Sequence, residues 1–275
     1  MARILKKRSL TPITSLFVVE APMIARNAQP GQFVMARISE SGERIPVTFT
    51  NYDVGEGTVT VVVQEVGKTT RMFSALGEGD EILDFVGPLG RPAPLPERGH
   101  VALLGGGFGA AAILTLAKEL HSRSVEVSSI VGARSSDLLI LDDEVGAVSD
   151  HLYICTDDGS SGFHGFVTIQ LTELIDQGIS FDEAIAIGPV AMMRALAEAT
   201  RPYGLRTQVS MDPIMVDGTG MCGACRITVD DELKFACVDG PFFDAHKVNF
   251  AEATIRSKMY VEEEQMSLTL DKAGG

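Results

Sequence analysis

Apolar and polar positions alternate loosely over residues 13–20, and residues 1 to about 98 as a whole read as strands. Runs at 13–20, 32–38, 44–49 and 58–66 are short, several of them β-branched, and each is bounded by glycine or turn residues. Residues 77–80 read as a turn before a further strand at 81–85, and Gly87-Pro88-Leu89-Gly90 interrupts the pattern. A proline-rich stretch follows up to Gly99. The pattern predicts a small antiparallel β-barrel over residues 1–98, closed by a linker.

The character changes at His100. The apolar run 101–104 leads into Gly105-Gly106-Gly107-Phe108-Gly109, and 110–120 are helix formers throughout. Strand-like runs at 125–131, 151–156, 183–187 and 207–210 alternate with helical segments starting near 137 and spanning 167–177 and 191–200. Strand and helix alternating at short spacing predict a parallel α/β sheet over 99–212. Residues 213–248 are glycine-rich and carry cysteines, with Asp230-Asp231 between two short apolar runs as a hairpin turn. One helix over 250–266 is predicted in a C-terminal tail, 249–275.

With 275 residues the chain accommodates two hydrophobic cores and a small appendage. Its formal net charge of -14 disfavours nucleic acid and anionic membranes as partners. No run reaches the roughly 20 apolar residues of a membrane span. The basic N-terminus lacks the apolar centre of a signal peptide, so a cytoplasmic location is expected.

Four cysteines are too few for a disulfide scaffold. Three of them cluster in Asp217-Gly-Thr-Gly-Met-Cys222-Gly-Ala-Cys225, followed by Cys237. Closely spaced thiolates suit zinc or an iron–sulfur centre. Glycines at 218, 220 and 223 favour the second, because they let the backbone wrap a cluster and turn N–H donors toward its sulfides. Asp217 borders the same turn. Its carboxylate suits either a fourth ligand or an ordinary cap on backbone amides, and local chemistry leaves both open. Cys155, in an apolar strand, reads as an inert buried residue.

Nucleotide signals lie upstream. Gly105, Gly107, Gly109 and Ala110 stand between a strand and a helix, where a helix N-terminus receives a pyrophosphate. Arg134, Asp157 and Gly188-Pro189 fall at strand ends, the ligand-binding edge of an open parallel sheet. In the barrel, Arg44, Pro46, Val47 and Thr48 form one candidate contact. Gly67, Lys68, Thr69 and Thr70 form another, offering amides, hydroxyls and a cation to a diphosphate. Each of these also has a plain turn reading. The histidines are scattered and form no triad, and hydride transfer needs none, because cofactors carry that chemistry. After Val131-Gly132-Ala133 the single cation Arg134 is followed by Ser135, Ser136 and Asp137, which favours NAD over NADP.

Taken together, these motifs resemble the iron–sulfur branch of the ferredoxin-NADP reductase superfamily, along essentially the whole chain. That branch includes the electron-transfer subunits of dihydroorotate dehydrogenase. The likeness is greatest to the small subunits of NADH-dependent reduced ferredoxin:NADP oxidoreductases. The most specific stretches are 42–48, 65–70, 87–90, 105–110, 216–225 and 235–241. The resemblance implies FAD in the barrel, held near Pro46, Thr48 and 67–70, and NAD(H) at the glycine-rich segment. The family's usual flavin arginine position is occupied by Ile45, with Arg44 one residue earlier. It further implies a [2Fe-2S] cluster on Asp217, Cys222, Cys225 and Cys237, where the dihydroorotate-type subunits have four cysteines. The implied partner is a larger subunit with its own flavin and [4Fe-4S] clusters, which binds NADP(H) and deals with ferredoxin. The bifurcation of electrons would lie in that partner.

Overall fold

A computed structural model describes residues 1–40 and 42–273. The first sheet contains β1 (Ala2–Thr11), β2 (Thr14–Glu20), β3 (Phe33–Arg37), β4 (Ile45–Asp53), β5 (Thr58–Gln64), β6 (Glu81–Ile82) and β7 (Asp84–Leu89). Neighbours are antiparallel, in the order β6-β1-β2-β5-β4-β3-β7. The two edge strands are joined by a single residue, Leu83. A chain advances only about 3.8 Å per residue, so the two edges must lie side by side. The sheet therefore curls round into the expected barrel. Irregularities of register in the β1–β2, β4–β5 and β3–β7 pairs accommodate the curl.

Phe17, Phe49 and Phe73 are fully buried in this barrel. Phe73 belongs to α2 (Lys68–Ala75) and packs edge-on against Phe17 at 4.9 Å between ring centres. A second helix, α1 (Pro22–Ala25), is a single turn. Two sequence expectations need correction. Residues 67–70 are the start of α2 and not a turn alone. Strand β7 also runs through Gly87 and Pro88, where the pattern predicted a break. Pro88 lacks an N–H, and it is tolerated because β7 is an edge strand.

The second sheet is built from β8 (His100–Gly106), α3 (Gly109–Ser122), β9 (Glu126–Ala133), α4 (Asp142–Gly146), β10 (His151–Thr156), β11 (Phe163–His164), α5 (Val167–Asp176), β12 (Glu183–Ile187), α6 (Val190–Thr200) and β13 (Arg206–Ser210). These strands are parallel, as expected. Helix α3 is apolar on nearly every side. Residues 110–117 are all buried, because the helix packs on β8, β9 and β12 and also against β4 of the barrel. One core thus spans both sheets: Val62 of β5 clusters with Leu103, Ile113 and Ile185.

Past the sheet come the hairpin β14 (Arg226–Val229) and β15 (Glu232–Phe235), then α7 (Ala236–Asp239). Asp230 and Asp231 both take positive φ (55° and 58°), as a tight hairpin requires. The chain then returns as β16 (Phe242–Asp244), which pairs antiparallel with β13 and completes the order β11-β10-β9-β8-β12-β13-β16. The sequence pattern does not anticipate this return. The predicted helix over 250–266 is two helices, α8 (Phe250–Arg256) and α9 (Val261–Ala273). Tyr260, at φ 67°, ends the first path. Gly274 and Gly275 of the expected tail lie outside the described residues. Among the described residues no helix is long and apolar enough to cross a membrane.

Candidate functional site

The second sheet changes winding direction between β8 and β12: β9 and β10 extend to one side, β13 to the other. Ligands bind such sheets in the crevice beyond the carboxyl ends of the strands at this point. A cavity of about 890 Å³ opens there, facing β4 and β5 of the barrel. It lies toward the upper end of the roughly 300–1,000 Å³ of small-molecule sites.

The barrel wall of the cavity includes Pro46, Val47 and Thr48 of β4, and Thr70 of α2. Gly107, Gly109, Arg134, Asp157, Gly188 and Pro189 line the opposite wall. Ten of the residues singled out in the sequence thus meet in one cavity, although they lie as far apart as Pro46 and Pro189 in the chain. Gly105 and Ala110 are buried immediately behind the wall. Gly109 opens α3 against the end of β12 so closely that a Cβ there would stand 1.9 Å from Ile187 O. Only glycine permits that approach, which brings the helix N-terminus to the cavity.

Other candidates stand off the cavity or are engaged elsewhere. Arg44 lies 3.7 Å from Asp84, which is already paired to Arg37 at 2.6 Å. The Thr70 hydroxyl is used in its own turn: it accepts from Gly67 N (2.9 Å) and Val66 N (3.0 Å) and caps α2. The Thr69 hydroxyl donates to Glu43 at 3.3 Å. Gly67, Lys68 and Thr69 are not among the lining residues.

The structure adds Ser210 and Asp212, just beyond β13, to the cavity wall. Asp212 reaches solvent through the cavity yet is surrounded by protein. Desolvation by the protein crowded around it pushes its carboxyl up to about 6, although the residue is exposed to the cavity, and only its own backbone N–H opposes the shift. Arg134 and Asp157 are the other ionisable lining residues, and neither contributes to that shift. A single Asp in an irregular stretch carries no periodic signal, so the sequence pattern does not pick it out.

The cysteine loop lies beside the cavity, against β3 on the same outer face of the barrel wall. Phe33 and Met35 of β3 share a buried cluster with Met215, Cys225 and Cys237. Gly218 sits so close that a Cβ would meet Met35 Cγ at 2.8 Å and Leu89 Cδ1 at 2.9 Å. The β14–β15 hairpin pairs Arg226 with Phe235, which brings Cys225 back beside Cys237. Their sulfurs are 3.2 Å apart, too far for a disulfide bond. Burial, followed by the neighbouring Cys225 thiol, pushes the Cys237 thiol up to about 12, and a Gly220 N–H donated to its sulfur opposes this. Cys222 is exposed at the rim.

Asp217 accepts from Thr219 N (2.8 Å) and Cys222 N (3.2 Å). The Thr219 N–H chiefly holds its carboxyl below the ordinary carboxylate range. Among the described residues no three such side chains converge as a metal-binding group. The donor chemistry nonetheless fits an iron–sulfur centre: three thiols and a carboxylate share one glycine-bent loop, whose Gly220 N–H already serves a sulfur. Cys155 is buried away from this loop, with its thiol pushed up to about 12 by burial, as an inert core residue would be.

Comparison with known proteins follows the same division. Residues 212–249 match the iron–sulfur cluster binding domain of dihydroorotate dehydrogenase B. A dihydroorotate dehydrogenase B (NAD(+)) electron transfer subunit homologue of Thermotoga maritima is 44% identical, over 96% of this chain and 93% of its own. The corresponding subunit of Geobacillus thermodenitrificans is 33% identical, over 89% and 96%. A solved structure of the NADH-dependent reduced ferredoxin-NADP oxidoreductase superposes with a TM-score of 0.93 at 42% identity, covering 98% of this chain and 97% of that one. Phthalate dioxygenase reductase, at 16% identity and a TM-score of 0.61, shares the fold. The chain belongs to the family of dihydroorotate dehydrogenase B electron-transfer subunits and their homologues, oxidoreductase subunits of ferredoxin-NADP reductase fold with an iron–sulfur cluster-binding domain.

Proposed function

We propose that this protein is the NADH-linked small subunit of a two-subunit flavin enzyme of the NADH-dependent reduced ferredoxin:NADP oxidoreductase kind. The carrying observation is how closely the cysteine loop adjoins the cavity. Pro46 lines the cavity, its cross-strand partner on β3 is Met35, and Met35 lies against Gly218 of the loop. Directly opposed residues project from the same face and neighbouring strands are about 4.8 Å apart, so loop and cavity adjoin one another along that face, one strand apart. That is a short path for single electrons.

FAD, NAD(H) and an iron–sulfur cluster are the cofactors of this reading. When bound, the flavin exchanges a hydride with NAD(H) and single electrons with the cluster. Pro46, Val47, Thr48 and Thr70 would hold the flavin, with Arg44 and the start of α2 at Gly67, Lys68 and Thr69 near its phosphates. Gly105, Gly107, Gly109 and Ala110 would position the nicotinamide nucleotide, with Arg134, Asp157, Gly188 and Pro189 around it. Asp217, Cys222, Cys225 and Cys237 would hold a [2Fe-2S] cluster. Exposed Cys222 and Met221 mark the side facing the larger subunit. That subunit would carry its own flavin and [4Fe-4S] clusters, bind NADP(H), and divide electrons between ferredoxin and this chain.

Anaerobic NADH, added to the isolated subunit and followed optically, is expected to bleach the flavin. No bleaching would sink the proposal. The second reading, an electron-transfer subunit serving dihydroorotate oxidation, is supported by the family match of residues 212–249. The aspartate at 217 weighs against it. Purifying the native complex and identifying the larger subunit separates the two.

A further inference from the structure

Two consecutive carbonyls of the cysteine loop are held by guanidinium groups. Arg226 Nη1 donates to Gly223 O at 3.2 Å, and Arg256 Nη2 donates to Ala224 O at 2.7 Å. The arginines come from separate elements: Arg226 opens β14, and Arg256 ends α8. Both peptides are trans, so their C=O and N–H groups point in opposite directions. Holding the carbonyls on arginine therefore turns the N–H groups of Ala224 and Cys225 the other way. It also polarises those peptides and strengthens the two donors.

Neither arginine makes an ion pair with a carboxylate among the described residues. Arg256 Nε is also buried without a hydrogen-bond partner. Carboxylates are abundant in a chain with net charge -14, so the lack of a counterion here stands out. A partly buried guanidinium left uncompensated is costly. The cost is offset if negative charge arises beside it.

We propose that Arg256, supported by Arg226, is a positioning residue that raises the reduction potential of the cluster held by this loop. The inference rests on the iron–sulfur reading above. Reduction adds one electron to the cluster, with no bond made or broken. The guanidinium charges and the peptide N–H donors they orient stabilise that added charge.

The test is an EPR-monitored redox titration of the full-length holoprotein, after iron and acid-labile sulfide have been measured. Arg256→Gln is expected to lower the reduction equilibrium constant about tenfold, which is about 59 mV for one electron. Arg256→Lys, which keeps the charge, should recover most of that shift. Arg226→Gln should shift the potential in the same direction by less, because Arg226 is the more exposed of the two. An Arg256→Gln potential indistinguishable from wild type overturns the inference. If Arg256→Gln fails to retain the cluster, Arg226→Gln decides: a lowered potential supports the inference and an unmoved one overturns it. Absence of iron and sulfide from the wild-type protein would instead overturn the cluster reading itself.

Discussion

Met35 and Gly218 are in contact on the outer face of the barrel wall, with room for no more than a hydrogen on the Gly218 α-carbon facing Met35 Cγ. Gly218 also has φ 76°, a conformation that L side chains rarely adopt. Gly218→Ala is therefore expected to lift the cysteine loop off β3. Stopped-flow reduction with NADH should then show flavin bleaching at the wild-type rate and cluster reduction slowed several-fold. Equal rates for both steps would mean that this contact does not set the electron path.

The carboxylate of Asp217 faces two amides of its own loop, so two roles predict different outcomes. As a cluster ligand, Asp217→Cys replaces a hard oxygen donor by sulfur, and the visible spectrum and the potential should both change. As a cap alone, the same substitution leaves the spectrum as it was and costs only loop stability, about 1 kcal/mol. Optical and EPR spectra of the reconstituted variant distinguish the two.

Two glycines of the nucleotide segment should respond unequally to alanine. At Gly109 the added Cβ meets the backbone of Ile187 at 1.9 Å, and backbone cannot step aside. A loss of roughly 3 kcal/mol or more is expected, with loss of NADH binding. Gly107 has φ 56° and nothing within 4 Å, so Gly107→Ala should cost only roughly 1 kcal/mol. Denaturant melts of the two variants check the order.

Asp212 gives a pH dependence whose sign follows from its raised pKa. Its carboxyl sits at about 6 in the folded protein against 3.8 without the protein around it. Between those values the folded form keeps a proton that the unfolded chain has released. Stability contributed by Asp212 is therefore present below pH 3.8 and lost as the pH rises through about 6. Thermal melts from pH 4 to 7 should show wild type losing more stability than Asp212→Asn across that window. Parallel curves would show that the carboxyl titrates normally.

Much of this molecule was legible in its sequence, because the signals involved are local. Loose alternation in 13–20 and the glycine-bounded β-branched run 58–66 mark strands whatever they later pair with. Gly105 to Gly109 can only be a tight strand-to-helix turn. Cys222 and Cys225 are close by chain geometry alone, and Asp230-Asp231 ensures that the hairpin returns Cys237 to them. These features determined the order of barrel, α/β sheet and cysteine loop, and most of the candidate site residues.

The tertiary structure decided what depends on distant surfaces meeting. Closing a longer loop costs little more than closing a shorter one, so chain separation does not dictate which strands pair. Burial does, and it brought β16 back onto β13 and curled β6 round to β7. It also placed Asp212 in a cavity with Pro46 and set Met35 against Gly218. Local pattern likewise gave no warning that Tyr260 would divide the last helix, or that Thr70 would turn its hydroxyl inward to cap α2. The cysteine loop was thus evident from residue types and spacing. Its seat on the barrel wall, with two arginines behind it, follows from packing between segments that share no local signal.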